Sequence, residues 1–390
     1  MKALLFPYRE GVMTCLWEDR AESLAFFPPE RSARVGSIYR GTVEQMVPGL
    51  EAAFVRFGAG EKGYLPLKRG ESLKPGLELT VQVEKAAVKT KLPVLTRALT
   101  LPGRFLVLLS AGKGLAVSRK LEGRQGEEAA EEALAPYLQE QGFILRTNGG
   151  EAAPEQLQQE AARLIEELRQ IRGRESHAPA GSLLREAEPE HISFLRGLPG
   201  NGISEILAEG ETLIREVRSY LEQEEPERLS VFREYRDESL SLARLYNLER
   251  EVERAQEKRV WLPCGGYLVI EPTEALVAID VNSGKYETDS FADTVRLVNF
   301  EAAAEAARQL RLRNLSGMIL LDFIRMKKPE EREELLTRLK EEVGKDTVRC
   351  EVLGYTALGL VEMTRRRLTP SLREQLAQAE HAAPGPAARR

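Results

Sequence analysis

Two stretches, EALVAIDVNSG at residues 274–284 and MILLDFI at residues 318–324, decide how this chain is read. Each holds a short apolar run that ends in an aspartate, Asp280 in the first and Asp322 in the second. Apolar runs of this length, bounded by turn residues, are buried strands. Between them a helical period runs from about Ala292 to Arg313, with Ser290 and Asp293 placed for a capping box. Strand, helix and strand at this length make a right-handed crossover, so the two strands are expected to be parallel. A carboxylate in an apolar strand is costly unless it is paired or holds a metal. In open α/β sheets ligands bind at the carboxyl ends of strands. Asp280 and Asp322 are therefore expected to share one hard cation, Mg2+ or alternatively Mn2+, because oxygen donors select these over zinc. Such an ion retains waters that can attack a phosphodiester. Asn282, two residues after Asp280, is placed to orient that carboxylate. The competing account has Asp280 capping a turn and Asp322 paired with a buried arginine.

Working outward, LPCGGYLVIEP (262–272) and TVRCEVLGY (347–355) read as further strands and PEEREELLTRLKEEV (329–343) as a helix. Residues 259–372 thus form one folded block, and the Ala-, Gln-, Pro- and Arg-rich residues 373–390 are expected to be a disordered tail. At the other end ALLFPY, MTCLWED and AESLAFF form a hairpin and a third strand around Gly11. That is too little to fold alone, so it must join a sheet made elsewhere. Residues 35–92 hold several short strands punctuated by glycines, the signature of a small barrel. Residues 101–150 alternate strand and helix, and residues 153–172 form a helix with Leu157, Ala161, Leu164, Ile165, Leu168 and Ile171 on its apolar face. The pattern fades over 173–191, where a linker is expected, and returns with a helical period over 203–222 and 238–258.

The net charge of −5 conceals an asymmetry: residues 1–100 carry 15 Lys+Arg against 11 Asp+Glu, and the excess of acid lies beyond them. From Lys85 to Lys120 there are eight basic residues and no acidic one, a stretch suited to a polyanion or to a solvated face. Aromatics are interleaved with base in the barrel, where Tyr39, Phe54, Phe57 and Tyr64 lie near Arg40, Arg56, Lys62 and Lys68. Such barrels bind single strands by stacking bases on exposed rings. Phe54 and Phe57 are three residues apart, so they point to opposite faces of a strand and only one can be core. In the segment ILRTNGG (144–150), Arg146 offers a fork for phosphate and Thr147 a hydroxyl before a double-glycine turn, a pattern that a loop with a surface arginine also satisfies. The three cysteines, Cys15, Cys264 and Cys350, form no zinc or disulfide spacing, and the three histidines, His177, His191 and His381, form no catalytic arrangement. With no apolar run long enough to span a membrane and no signal-peptide start, a cytoplasmic location is expected.

These pieces occur together in one family. VGSIYRGTVEQMVPGLEAAFVRFGAGEKGYLPL (35–67) resembles the S1 domain of ribonucleases E and G. EALVAIDVNSGKY (274–286), FEAAAEAARQLRLRNLSGMILLDFIRM (300–326) and LGLVEMTRRRLTPSL (358–372) resemble that family's catalytic domain. The resemblance is continuous from about residue 1 to 372, and in length the chain is closer to ribonuclease G. It implies a mixed α/β multidomain fold: a split ribonuclease H-like domain (1–34 and 191–258), an inserted S1, or OB-fold, barrel (35–100), a 5′-sensor domain (101–190) and a DNase I-like catalytic domain (259–372). It implies a magnesium-dependent endoribonuclease for single-stranded RNA, messenger or ribosomal precursor, that prefers a 5′-monophosphate. Carried over by residue, Asp280 and Asp322 are the metal ligands and Asn282 orients the first. Phe54 and Tyr64 hold RNA, with Lys91 as their basic partner. Arg146 and Thr147 bind the 5′-phosphate, and Arg349 contacts RNA. Two departures stand out. The family's C-P-x-C zinc motif should follow LTPSL, but REQLAQAEHAAPGPAARR has no cysteine, so no zinc is expected and any homodimer is not linked by zinc. Arg325, in DFIRM, stands where members often carry an acidic residue. The alternative to the enzyme is a non-catalytic RNA-binding scaffold.

Overall fold

A computed structural model of the chain describes residues 1–29, 34–87, 92–118, 126–198, 202–284 and 291–382. It divides into two compact units, residues 1–29 with 202–390, and residues 30–201.

In the second of these, five strands close into a barrel. Ile38–Val47 pairs with Ala52–Phe57, which pairs with Glu61–Pro66; the short strand Val94–Thr96 links this to Glu78–Lys85, which returns to Ile38–Val47. Alternation along the strands fills the interior with Val43, Val55, Phe57, Leu65, Val81, Val83 and Leu95. A four-stranded sheet follows, ordered Gly114–Val117, Gly142–Leu145, Leu106–Leu109 and Thr100–Pro102. The helices Glu127–Leu138 and Pro154–Glu175 supply its apolar cover. The second helix buries Leu157, Ala161, Leu164, Leu168 and Ile171, a stripe at helical spacing. Glu160 is buried on the same helix, and its carboxylate accepts the backbone N–H groups of Arg104, Phe105 and Leu106 at 2.6, 2.8 and 2.7 Å. The linker expected over 173–191 is not one. The helix continues to Glu175, Leu183–Arg185 pairs with the barrel strand at Tyr39 and Ile38, and Glu190–Arg196 is helical. A three-residue strand with one buried side chain carries no period to detect.

The first unit holds two sheets. In one, the amino-terminal strands Ala21–Phe27, Gly11–Trp17 and Lys2–Tyr8 are antiparallel, and the last of them continues in parallel to Glu205–Glu209 and Phe232–Tyr235. The hairpin thus finds its sheet two hundred residues away, with Lys2 opposite Glu205 and Leu5 opposite Ala208. The helix expected over 203–222 is corrected at its start. Ile206, Leu207 and Ala208 are consecutive buried residues of a strand, and Gly210 at φ 92° separates them from the helix Glu211–Glu224. A run buried on both faces of a sheet does not alternate, so its period imitates a helix. The helical period over 238–258 resolves into two short helices, Leu242–Leu245 and Leu248–Arg254, with Asn247 at φ 51° between them.

The other sheet of this unit has six strands in the order Arg259–Trp261, Tyr267–Pro272, Leu276–Asn282, Gly317–Asp322, Val361–Arg365 and Cys350–Tyr355. One face packs on the helix Phe291–Leu312, whose Ala302, Ala303, Ala306 and Ala307 allow close approach, with Pro329–Gly344 beside it. Ser290, the expected capping residue, lies outside the described residues. The tail expected to be disordered from 373 instead forms the helix Leu372–Ala382. Leu372 and Leu376 enter the core with Leu24 and Phe26, and the Gln375 side-chain oxygen accepts the Phe26 backbone N–H at 2.9 Å. Two leucines four apart suffice for this, a signal that the surrounding Ala, Gln and Pro obscure. Residues 383–390 lie outside the described residues.

Candidate functional site

Asp280 and Asp322 are register neighbours. The strands that carry them are parallel, with Leu276 opposite Met318 and Asp280 opposite Asp322. Adjacent strands lie about 4.8 Å apart, so the two carboxylates leave the sheet side by side. Val277, Ile279, Val281, Ile319 and Leu321 point to the helical face and are buried, whereas both aspartates are exposed on the open face. The sequence places them at the ends of apolar runs; the alternation decides that they meet solvent. Asn282, on the same face, donates from Nδ2 to Asp280 Oδ2 at 2.8 Å. Among the described residues neither aspartate forms an ion pair, and a buried arginine of this sheet, Arg365, pairs with Asp346 at 2.7 Å. The arrangement is two hard anionic donors open to water, with one carboxylate turned by an amide. That donor set fits a divalent cation of the magnesium type.

Several residues that the sequence reading passed over hold this end of the sheet. Asn299, buried on the helix Phe291–Leu312, donates from Nδ2 to the Ile324 carbonyl at 2.7 Å, and its Oδ1 accepts the Ile324 N–H at 3.0 Å. Glu301 accepts the Cys264 N–H at 2.9 Å. Gly266 lies against the chain at Asn282: a Cβ there would come within 2.9 Å of the Asn282 carbonyl oxygen. Gly284, at φ 65°, passes as closely over Gly265, where a Cβ would stand 2.4 Å from its carbonyl oxygen. The signal available was two polar residues, Asn299 and Glu301, set among Val295, Val298, Phe300, Ala302 and Ala303.

Arg349 is not brought to the carboxylate pair. It is exposed and its guanidinium is paired with Glu351. The neighbouring Cys350 aligns with Arg365 and through it with Gly317, the opposite end of the strand from Asp322. Five residues of strand separate those ends by roughly 16 Å. Arg325 is exposed three positions after Asp322.

In the barrel Phe54 and Tyr64 are cross-strand partners, each half-buried, whereas Phe57 is 1% exposed in the interior. Lys62 Nζ stands 4.8 Å from the centre of the Phe54 ring and 3.1 Å from Glu44. The Tyr64 hydroxyl donates to the Leu50 carbonyl at 3.4 Å. Lys91 lies outside the described residues. Elsewhere in the same unit the strand Gly142–Leu145 runs into a 3-10 turn, Thr147–Glu151. Arg146 Nη1 donates to the Gly103 carbonyl at 2.6 Å, within the loop whose next N–H groups Glu160 holds. Thr147 is exposed, with its hydroxyl 3.5 Å from that of Ser118.

The cysteines are poor thiolate donors. Burial pushes the Cys15 thiol far above its usual range, and burial raises Cys350 to about 11. Among the described residues no group of three or more His, Cys, Asp or Glu side chains is arranged to hold a metal. No described helix is long and apolar enough to cross a membrane.

Comparison with known proteins places these features in context. The sequence model of the ribonuclease E/G family matches residues 100–368. The chain is 34% identical to a ribonuclease E of Nostoc sp. over 388 residues, covering 94% of this chain and 56% of that protein. It is 33% identical to ribonuclease G of Escherichia coli K12 over 373 residues, covering 89% and 76% respectively. A ribonuclease E of Synechocystis sp. is 31% identical over 97% of the chain and 58% of its own length. The chain therefore spans little more than half of these two ribonucleases E and about three quarters of the ribonuclease G.

Proposed function

The chain belongs to the ribonuclease E/G family, and from this we propose that it is an endoribonuclease that hydrolyses single-stranded RNA with the aid of Mg2+, or alternatively Mn2+. The observation that carries the reading is the alignment of Asp280 with Asp322 on parallel strands, with Asn282 bonded to Asp280. Asp280 and Asp322 would hold the cation, and Asn282 keeps the Asp280 carboxylate turned toward the open face. When bound there, the ion supplies Lewis-acid charge and an activated water for attack on a phosphodiester, which leaves a 5′-phosphate and a 3′-hydroxyl. Phe54 and Tyr64 offer ring surface to bases on the barrel, with Lys62 and Lys91 as cations for the backbone. Arg146 and Thr147 are the proposed contacts of a 5′-monophosphate, and Arg349 an outlying RNA contact.

The sheet order of the first unit, with its antiparallel hairpin continued by parallel strands, supports a ribonuclease H-like reading of 1–34 with 191–258. The closed five-stranded barrel supports the S1 reading of 35–100. Residues 101–190 and 259–372 are then the 5′-sensor and DNase I-like catalytic domains. The substrates are messenger RNA in decay and ribosomal RNA precursors, in the cytoplasm. No zinc is proposed, and any homodimer is held without it.

The test is incubation of the purified chain with 5′-monophosphorylated single-stranded RNA and Mg2+. Internal cuts are expected, and Asp280→Asn or Asp322→Asn should each reduce cleavage to background while filter binding of the RNA persists. RNA that is bound but never cut would establish the non-catalytic scaffold instead. Equal cutting of single-stranded DNA would make it a general nuclease.

A further inference from the structure

The open face of the six-stranded sheet carries a second feature beside the aspartates. Strand register places Arg259 opposite Val269, Val269 opposite Asp280, and Asp280 opposite Asp322. The adjoining row runs from Trp261 to Tyr267 to Asn282. Cross-strand partners share a face, so Arg259, Trp261 and Tyr267 lie on the same side of the sheet as the carboxylates and Asn282. Trp261 is 62% exposed although it is among the largest apolar side chains of the chain. Its ring centre is 5.2 Å from that of Tyr267. The Arg259 guanidinium stands 4.6 Å from the Tyr267 ring and 5.7 Å from the Trp261 ring.

A tryptophan here fills no core, because the core of this sheet lies on its other face among Leu268, Ile270, Val277 and Ile279. It is held in place by a neighbouring ring and a cation, and an indole so held retains surface on which a base can stack. The cation matters as much as the ring. Asp280 and Asp322 repel a phosphate chain, and Arg259 places positive charge on the same face, in the row of Asp280. Two strand spacings separate the Trp261 strand from the Asp280 strand, about 10 Å, so a short stretch of one nucleic-acid strand reaches both.

We propose that Trp261, Tyr267 and Arg259 form a base-stacking shelf that holds a nucleotide of single-stranded RNA next to the Asp280–Asp322 pair. This rests on the hydrolase reading above, and the shelf acts as a positioning device for the strand that is cut. It is distinct from the ring pair of the barrel, and it lies in the same unit as the carboxylates.

Tryptophan emission reads the shelf directly, because the chain has two tryptophans, Trp17 and Trp261. The intact protein is titrated with a ten-nucleotide single-stranded RNA in EDTA, with the RNA checked for integrity afterwards. Quenching is expected in the wild type and should vanish in Trp261→Phe, which leaves only Trp17. In cleavage with Mg2+, Trp261→Ala should raise KM on the order of tenfold with kcat little changed, the loss of about one base stack. Trp261→Phe, which keeps a ring, should stay close to the wild-type KM. RNA that saturates the protein without quenching, or an unchanged KM in Trp261→Ala, overturns the shelf. Loss of a dimer on sedimentation of Trp261→Ala, with KM unchanged, would assign the ring to contact with a second copy and likewise overturn it. Quenching without any cleavage by the wild type would leave the shelf standing and remove the hydrolase reading.

Discussion

Asn299 brackets Ile324 with both ends of its amide, donating to the carbonyl at 2.7 Å and accepting the N–H at 3.0 Å. Ile324 lies two residues beyond Asp322, where the strand has ended and the chain has no ladder partner. A buried helix side chain therefore does what the sheet no longer can, and it sets the exit of the strand that carries the second carboxylate.

Replacing Asn299 by leucine should lower both stability and cleavage. It strands a part-buried N–H and carbonyl, each worth roughly 1–3 kcal/mol when left unpaired. Thermal melting measures the first effect. The Mg2+ concentration for half-maximal cleavage measures the second and should rise. A variant that melts earlier but keeps its Mg2+ dependence would show that Asn299 supports the fold without setting Asp322.

Phe54 and Phe57 should separate binding from folding. Phe54→Ala is expected to weaken RNA binding by about 1–3 kcal/mol with little change in melting temperature. Phe57→Ala, which empties a site in the barrel interior, should cost about 3–5 kcal/mol of stability. Fluorescence anisotropy with labelled RNA and thermal melting, run on both variants, decide the matter. If Phe54→Ala mainly destabilises, its ring belongs to the core.

Arg146→Leu should erase the preference for a 5′-monophosphate over a 5′-hydroxyl, measured as the ratio of kcat/KM on two otherwise identical RNAs. One guanidinium nitrogen donates to the Gly103 carbonyl, which ties the side chain to that loop. Charge-assisted contacts are worth about 1.5–3 kcal/mol, so a preference near tenfold or more is expected in the wild type. A wild type without preference would remove Arg146 from any sensor role. Equal slowing of both RNAs by the substitution would assign it to the fold or to general binding.

Glu305 makes stability depend on acid. Burial by itself would raise its pKa, but hydrogen bonds and charge from Arg308, Gln309 and Arg20 hold it below the ordinary glutamate value of 4.5. A carboxylate depressed in the folded state contributes stability that is present above 4.5 and lost as the pH falls through the lower folded value. The melting temperature should therefore fall as the pH drops below 4.5, and Glu305→Gln should flatten that part of the profile. An unchanged acid limb in the variant would place the sensitivity in other carboxylates.

The sequence by itself determined the pieces that depend on local pattern. Two apolar runs ending in aspartate, a long helix between them and a set of short glycine-punctuated strands were each legible, because strand and helix periods are written in neighbouring residues. The opposition of Phe54 and Phe57 followed from the two-residue repeat of a strand, and the structure buries Phe57 and leaves Phe54 half-open. The family motifs were legible for the same reason, being contiguous.

Only the tertiary structure decided what depends on distant partners. Ile206–Ala208 is a strand because Lys2–Tyr8 and Phe232–Tyr235 flank it, and its own period does not say so. Leu372–Ala382 is helical because Leu372 and Leu376 meet a core built by residues 4–26 and 312. Arg349 and Asp322 sit at opposite ends of the sheet because the last two strands are paired in a register no local signal reveals. The row from Arg259 to Asp322 exists only once four strands are aligned. Register is a long-range property: a shift of one residue would turn every side chain of a strand to the other face, and the burial of Leu268, Ile279 and Leu321 on the helix side is what forbids it.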